Sequence, residues 1–145
     1  MRQETIDTLH REHCSLVVET ANGLHLFYKK GVRDLENLLD HNPTLLSGSS
    51  VADKVVGKAA ASIMAVGKVH ELYADVLSRK ALPILNQAGI SYTCGTLVDR
   101  IVIPEGDTRC PLEEIASDAT TAEEVVARLR QHFEKMQKIK DQKIR

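Results

Sequence analysis

Apolar positions recur along this chain with two periods, and the changes between them mark out its elements. Ile6 and Leu9 punctuate a polar stretch over residues 4–13, a short helix. Cys14 to Thr20 and Leu24 to Lys29 are runs of strand formers. Asn22-Gly23 between them is a strong hairpin signal, because both residues tolerate positive φ. Gly31 closes the hairpin, and Val32, Leu35, Leu38 and Leu39 recur at helical spacing until Asn42-Pro43 stops that helix. After Gly48-Ser49-Ser50, apolar positions 52, 55, 56, 59, 60 and 63 keep helical spacing. They predict one long helix over 51–66, ended by Gly67 and opened by Ser50 three residues before Asp53, in the manner of a capping box.

Tyr73, Val76 and Leu77 mark a strand over 72–77. Ser78 caps a helix that runs to Ala88 and stops at Gly89, with Pro83 disturbing its first turn. Ile90 to Val98 reads as a strand, and Ile101 to Pro104 as a short edge strand, where Pro is tolerated. Cys110-Pro111 opens a further helix. Thr121 caps a last, amphipathic one over about 121–141, striped by Val125, Val126, Leu129, Phe133 and Met136, with residues 138–145 fraying. Strand–helix–strand order over 72–98 implies parallel neighbours covered by helices, and the hairpin implies an antiparallel pair. A three-layer α/β/α sandwich on a mixed sheet satisfies both, as a single domain over 1–145 with its core over about 14–117.

Composition narrows the functional classes. A chain of 145 residues, 43% hydrophobic and 27% charged, is an ordinary soluble domain. Its net charge of −1 gives no global attraction to nucleic acid or an anionic membrane, and with 3% aromatics and no Trp it has few platforms for stacking bases. No apolar run approaches the ~20 residues that span a bilayer. The first residues lack the apolar core of a signal peptide. Three cysteines without a scaffold spacing point to reduced thiols and a cytoplasmic setting. Self-association stays open.

Chemistry concentrates at Asp53, Lys54, Gly57 and Lys58, placed by this reading on the first turns of the 51–66 helix, where free amides and a positive helix end are available. Gly57-Lys58 resembles a phosphate loop, but that motif needs Gly at 52 and a hydroxyl at 59, and both are Ala. The loop should also bridge strand to helix, whereas this reading puts Gly57 inside a helix. Ser50, Asp53, Lys54, Gly57 and Lys58, with Ser78 and Lys80 at the next helix start and Cys110 at a third, compose a pocket for a small anionic or nucleotide-like ligand. Two other readings compete: tight packing of the Gly57 and Ala59-Ala60-Ala61 helix in a plain structural or interaction module, and a metal-free enzyme using Lys58 and Asp53. His10, His13 and Cys14 have ligand-like spacing but no matching second pair, so they read as solvated histidines before a strand, and no metal or cofactor is expected. Cys94 reads as a small core residue, and Cys110 as the one thiol at a helix start. The basic tail, interleaved with acidic and apolar residues, reads as a solvated helix end.

The block Asp53-Lys54-Val55-Val56-Gly57-Lys58-Ala59-Ala60-Ala61, then Leu72-Tyr73-Ala74-Asp75-Val76-Leu77-Ser78, Ala81, Leu85, Ala88-Gly89-Ile90 and Cys110-Pro111-Leu112-Glu113, resembles the uncharacterised bacterial proteins of domain of unknown function 1893. The similarity spans roughly residues 14–117. It implies a cytidine-deaminase-like α/β/α fold, without implying deamination. Zinc deaminases carry H/C-x-E at one helix start and P-C-x-x-C at the next, the metal activating water and the Glu moving the proton. The corresponding starts, read here as Asp53-Lys54-Val55 and Ser78-Arg79-Lys80-Ala81, supply neither the ligands nor the Glu, which argues against zinc-dependent deamination.

Overall fold

The computed structural model describes residues 1–29, 32–101 and 115–144, with side chains to 138. Helix α1 (Gln3–Arg11) leads into the hairpin β1 (Leu16–Thr20) and β2 (Gly23–Phe27). Helices α2 (Arg33–His41) and α3 (Pro43–Leu46) follow, then β3 (Ser50–Val56), α4 (Lys58–Val66) and β4 (Glu71–Ser78). A 3-10 turn η1 (Arg79–Ala81) runs into α5 (Leu82–Ala88), then β5 (Ser91–Val98), and α6 (Ala122–Ile144) ends the chain. The edge strand expected beyond Ile101 and the opening of the helix expected at Cys110, within 102–114, lie outside the described residues.

The sheet order is β2-β1-β3-β4-β5. β1 is antiparallel to β2 and β3, while β3, β4 and β5 are parallel. One face carries the main core: Val18, Val51, Val56, Leu72 and Leu77 meet Ile63, Met64, Leu85 and Leu129 from α4, α5 and α6, with Leu35 and Leu38 from α2. The other face is covered by α1, which packs on β1 and β3 and seats Leu9 over Val17, Ala52 and buried Cys14. Helices on both faces of a mixed sheet make the three-layer α/β/α sandwich. Burying a side chain such as Leu9 stabilises that arrangement by about 1.5–3 kcal/mol.

The helix expected from Ser78 opens instead as the turn η1, with α5 starting at Leu82, and the expectation of one helix over 51–66 fails. Residues 51–66 are not a single helix: Ser50–Val56 is strand β3, between β1 and β4, and the helix starts only at Lys58. A run of small apolar residues satisfies either period, and its central place in the sheet decided for the strand. Ser50 and Asp53 are therefore no capping box. Ser50 donates to Glu71 across the strands at 2.7 Å. Gly57 is the junction, the N-cap of α4 with extended φ −104° and ψ −170°. The bridge from strand to helix that a phosphate loop needs is thus present after all, but Ala52 and Ala59 still depart from that motif.

The parallel strands share an irregularity. Their ladder runs to Asp53↔Ala74, lapses for one residue and resumes at Val55↔Val76; between β4 and β5 it lapses between Ala74↔Cys94 and Val76↔Thr96. Side chains facing the main core pass from Val51 to Val56 on β3 and from Leu72 and Ala74 to Leu77 on β4, a change of phase that strict alternation forbids. Lys54, Asp75 and Gly95 form the row at which this happens. The Asp53 carboxyl accepts from the amides of Lys54 and Val55, the local bonding by which Asp turns a chain out of regular strand. At Gly95 an added Cβ would stand 2.9 Å from the Asp75 carbonyl oxygen, so the close approach of β4 and β5 there requires glycine.

Candidate functional site

The carboxyl ends of β3 and β4 deliver two helical starts side by side. Val56 is in register with Leu77, so Gly57 leads into α4 beside Ser78, which leads into η1. No side chain caps α4. At η1 the buried Ser78 Oγ accepts from the Lys80 amide at 3.2 Å. Lys80 is exposed beside it. Gly57, Lys58, Ser78 and Lys80 are therefore brought to one edge, at the carboxyl ends of the parallel strands. Lys58 is half-buried, and its ammonium donates to the Ala119 carbonyl and, at 3.4 Å, to that of Ser117, so its charge holds down the chain entering α6.

The remaining predicted residues disperse. Asp53 lies one turn of strand below the edge and is 7% exposed. Burial lifts its carboxyl to about 8, with the charges of Asp75 and Asp34 adding to the effect against the two amides that lower it. Lys54 is on the row of the lapse, and its charge reaches Cys14 under α1. Ser50 is at the far end of β3, about 23 Å away at ~3.3 Å per residue, and does not belong to this edge. Cys110 lies outside the described residues. The two helix starts are Gly57-Lys58-Ala59 and Ser78-Arg79-Lys80, in place of Asp53-Lys54-Val55 for the first. Among the described residues no three His, Cys, Asp or Glu side chains stand close enough to hold a metal ion, and no helix is long and apolar enough to cross a membrane.

The sequence reading missed a constellation on the α1 face. His10, in the last turn of α1, puts Nε2 2.7 Å from Asp75 Oδ1, and the Tyr73 hydroxyl donates to the same oxygen at 2.8 Å. The two rings meet edge to face with centroids 6.3 Å apart. Burial, then the bond to Asp75, push the Tyr73 hydroxyl up to about 12, so it stays protonated and donates. His10 is thus no freely solvated histidine, and Cys14 is fully buried, its thiol pushed up by burial. A signal existed: Asp75 and Gly95 interrupt runs otherwise made of strand formers. A separate cavity of about 490 Å³ opens at the opposite sheet end, floored by Ala65, Val69, Ile84 and Ile90 and rimmed by Lys68 and Gln87.

The class is an α/β/α sandwich on a five-stranded mixed sheet, with uncapped and self-capped helix starts at its parallel strand ends. The chain belongs to the domain of unknown function family DUF1893, which matches residues 4–133. A solved structure of a DUF1893 family protein, TM1506 from Thermotoga maritima, is similar with a TM-score of 0.80 and 24% sequence identity. The similarity covers 91% of this chain and 92% of that one, and it shows the fold alone. No curated protein matches the chain.

Proposed function

We propose that this chain binds a small anionic or nucleotide-like ligand at the carboxyl ends of β3 and β4, on a fold of the cytidine-deaminase type. The supporting observation is the pair of neighbouring helix starts, with Gly57 beside Ser78 and α4 left without a side-chain cap. Amides of α4's first turn face outward from a positive helix end, and Lys80 supplies charge next to them. A helix end contributes only about 0.3–1 kcal/mol, and micromolar binding needs roughly 8 kcal/mol, so several amides and Lys80 must act together. The reading of Lys58 and Asp53 as an acid/base pair loses support: Lys58 is spent on carbonyls, and Asp53 is buried with its proton held to about pH 8. The plain structural or interaction module keeps one observation in its favour, the dense packing of Ala59, Ala60 and Ala61 in the core.

Calorimetric titration of the full chain with inorganic phosphate, ribose 5-phosphate and nucleoside monophosphates tests the proposal. Binding that Lys80→Ala weakens at least fivefold, and Lys54→Ala leaves alone, is the expected result. Absence of heat and of thermal stabilisation across the panel would transfer the conclusion to the packing module.

A further inference from the structure

We propose that the row of Lys54, Asp75 and Gly95, with His10 and Tyr73, is a second binding site, for a neutral polyhydroxylated ligand: a sugar, or the sugar of a nucleoside. Donors and acceptors within this cluster do not balance. Both bonds to Asp75 fall on Oδ1, and its other oxygen has no partner among the described residues. Tyr73 spends its proton on Asp75, so its oxygen is left as an acceptor. A carboxylate accepts only, so His10 Nε2 donates to Asp75 and adds a second donor to the same oxygen. Two acceptors, the second Asp75 oxygen and the Tyr73 oxygen, therefore stand together where His10 is half-exposed and Asp75 is 29% exposed.

Such a set wants a ligand rich in donors. An anion is repelled by the Asp75 carboxylate beside these acceptors. Adjacent hydroxyl groups on one small ring satisfy it without charge. The neighbouring surface agrees. β5 carries no charged residue from Ser91 to Val98, and Ser91, Thr93, Gly95 and Thr96 are exposed. Thr93 is in register with Tyr73, so its hydroxyl borders the cluster on the same face, and Gly95 leaves the surface beside Asp75 low. The two rings, 82° apart, form a corner against which the apolar face of a sugar ring packs. α1 covers β1 and β3, so its end at His10 forms one wall of the site.

NMR titration of the full chain, reading the His10 ring resonances, tests this with D-ribose, adenosine and 2′-deoxyadenosine. The expected result is a saturable shift of His10 with ribose or adenosine. Loss of one hydroxyl in 2′-deoxyadenosine should weaken binding at least tenfold relative to adenosine, and so should Asp75→Asn relative to wild type. Ribose binding as well as adenosine assigns the site to free sugars; adenosine binding alone assigns it to nucleosides. Lys80→Ala should change none of these, which separates this site from the strand-end edge. If His10 ignores both ribose and adenosine, or if adenosine and its deoxy analogue bind equally to wild type, the proposal fails; the second comparison stands even if Asp75→Asn does not fold.

Discussion

Asp53 carries its proton through neutral pH because water cannot reach it and because Asp34 and Asp75 add negative potential. Its folded value of about 8 lies above the ordinary 3.8, so the folded chain binds more protons than the unfolded one between those limits. Stability from this group is complete below about pH 4 and drains away as pH rises to 8 and beyond, with a slope of at most about 1.4 kcal/mol per pH unit. Asp53→Asn keeps the shape and removes the titration. Urea unfolding at pH 5 and pH 8.5 should therefore show the variant gaining on wild type at the higher pH by about 1 kcal/mol or more; an unchanged difference would refute the buried acid. Sequence made Asp53 conspicuous, but its meaning depended on which element held it. His10 and Asp75 are 65 residues apart, and no local pattern joins them.

Elements with chemical punctuation were legible. The hairpin formed as expected, though its loop is Ala21-Asn22 with Gly23 already paired to Thr20. Ser78 opened η1, the three-residue turn ahead of α5, Gly89 ended α5, and Thr121 opened α6. The Glu124 amide donates to Thr121 Oγ1 at 3.2 Å, and Glu124 in turn accepts from the Thr120 amide. Thr121→Ala should cost about 0.5–2 kcal/mol, measured by urea unfolding. Gly89 has φ +72°, which a side chain resists, so Gly89→Ala should cost about 1 kcal/mol or more in the same measurement. The boundary between β3 and α4 was illegible because both sides are small and apolar and only Gly57 divides them. Glycine reads as a mild defect inside a helix as readily as a junction. The candidate site inherited that error, which drew Ser50 and Lys54 onto an edge that neither occupies.

At the scale of the whole molecule, the titrating carboxyls fall into two groups. Asp53 and Glu36 sit high, the latter raised to about 7 by burial and by its neighbour Asp40. Their contributions fade as pH climbs. Glu71 and Asp118 sit low, Glu71 held there by the N-terminal amine and Ser50, and Asp118 by Arg128. Stability from such lowered groups disappears as pH falls below the ordinary carboxylate range. The melting temperature should therefore peak near about pH 5 and decline towards pH 8.5; a plateau from 5 to 8.5 would contradict this balance. Local stability is uneven as well. α6 is pinned by Val125, Val126 and Leu129, whereas Glu134 to Lys138 are all exposed. Amide exchange should be slow before Phe133 and fast after it. The lapse at Lys54, Asp75 and Gly95 behaves like a dislocation line in a crystal. It crosses three strands at one level, so it can be shifted or healed only in all three together. Removing one residue from β4 alone would leave Val76 and Leu77 out of phase with neighbours that still carry the fault. The lengths of β3, β4 and β5 are in that sense a single quantity, fixed jointly.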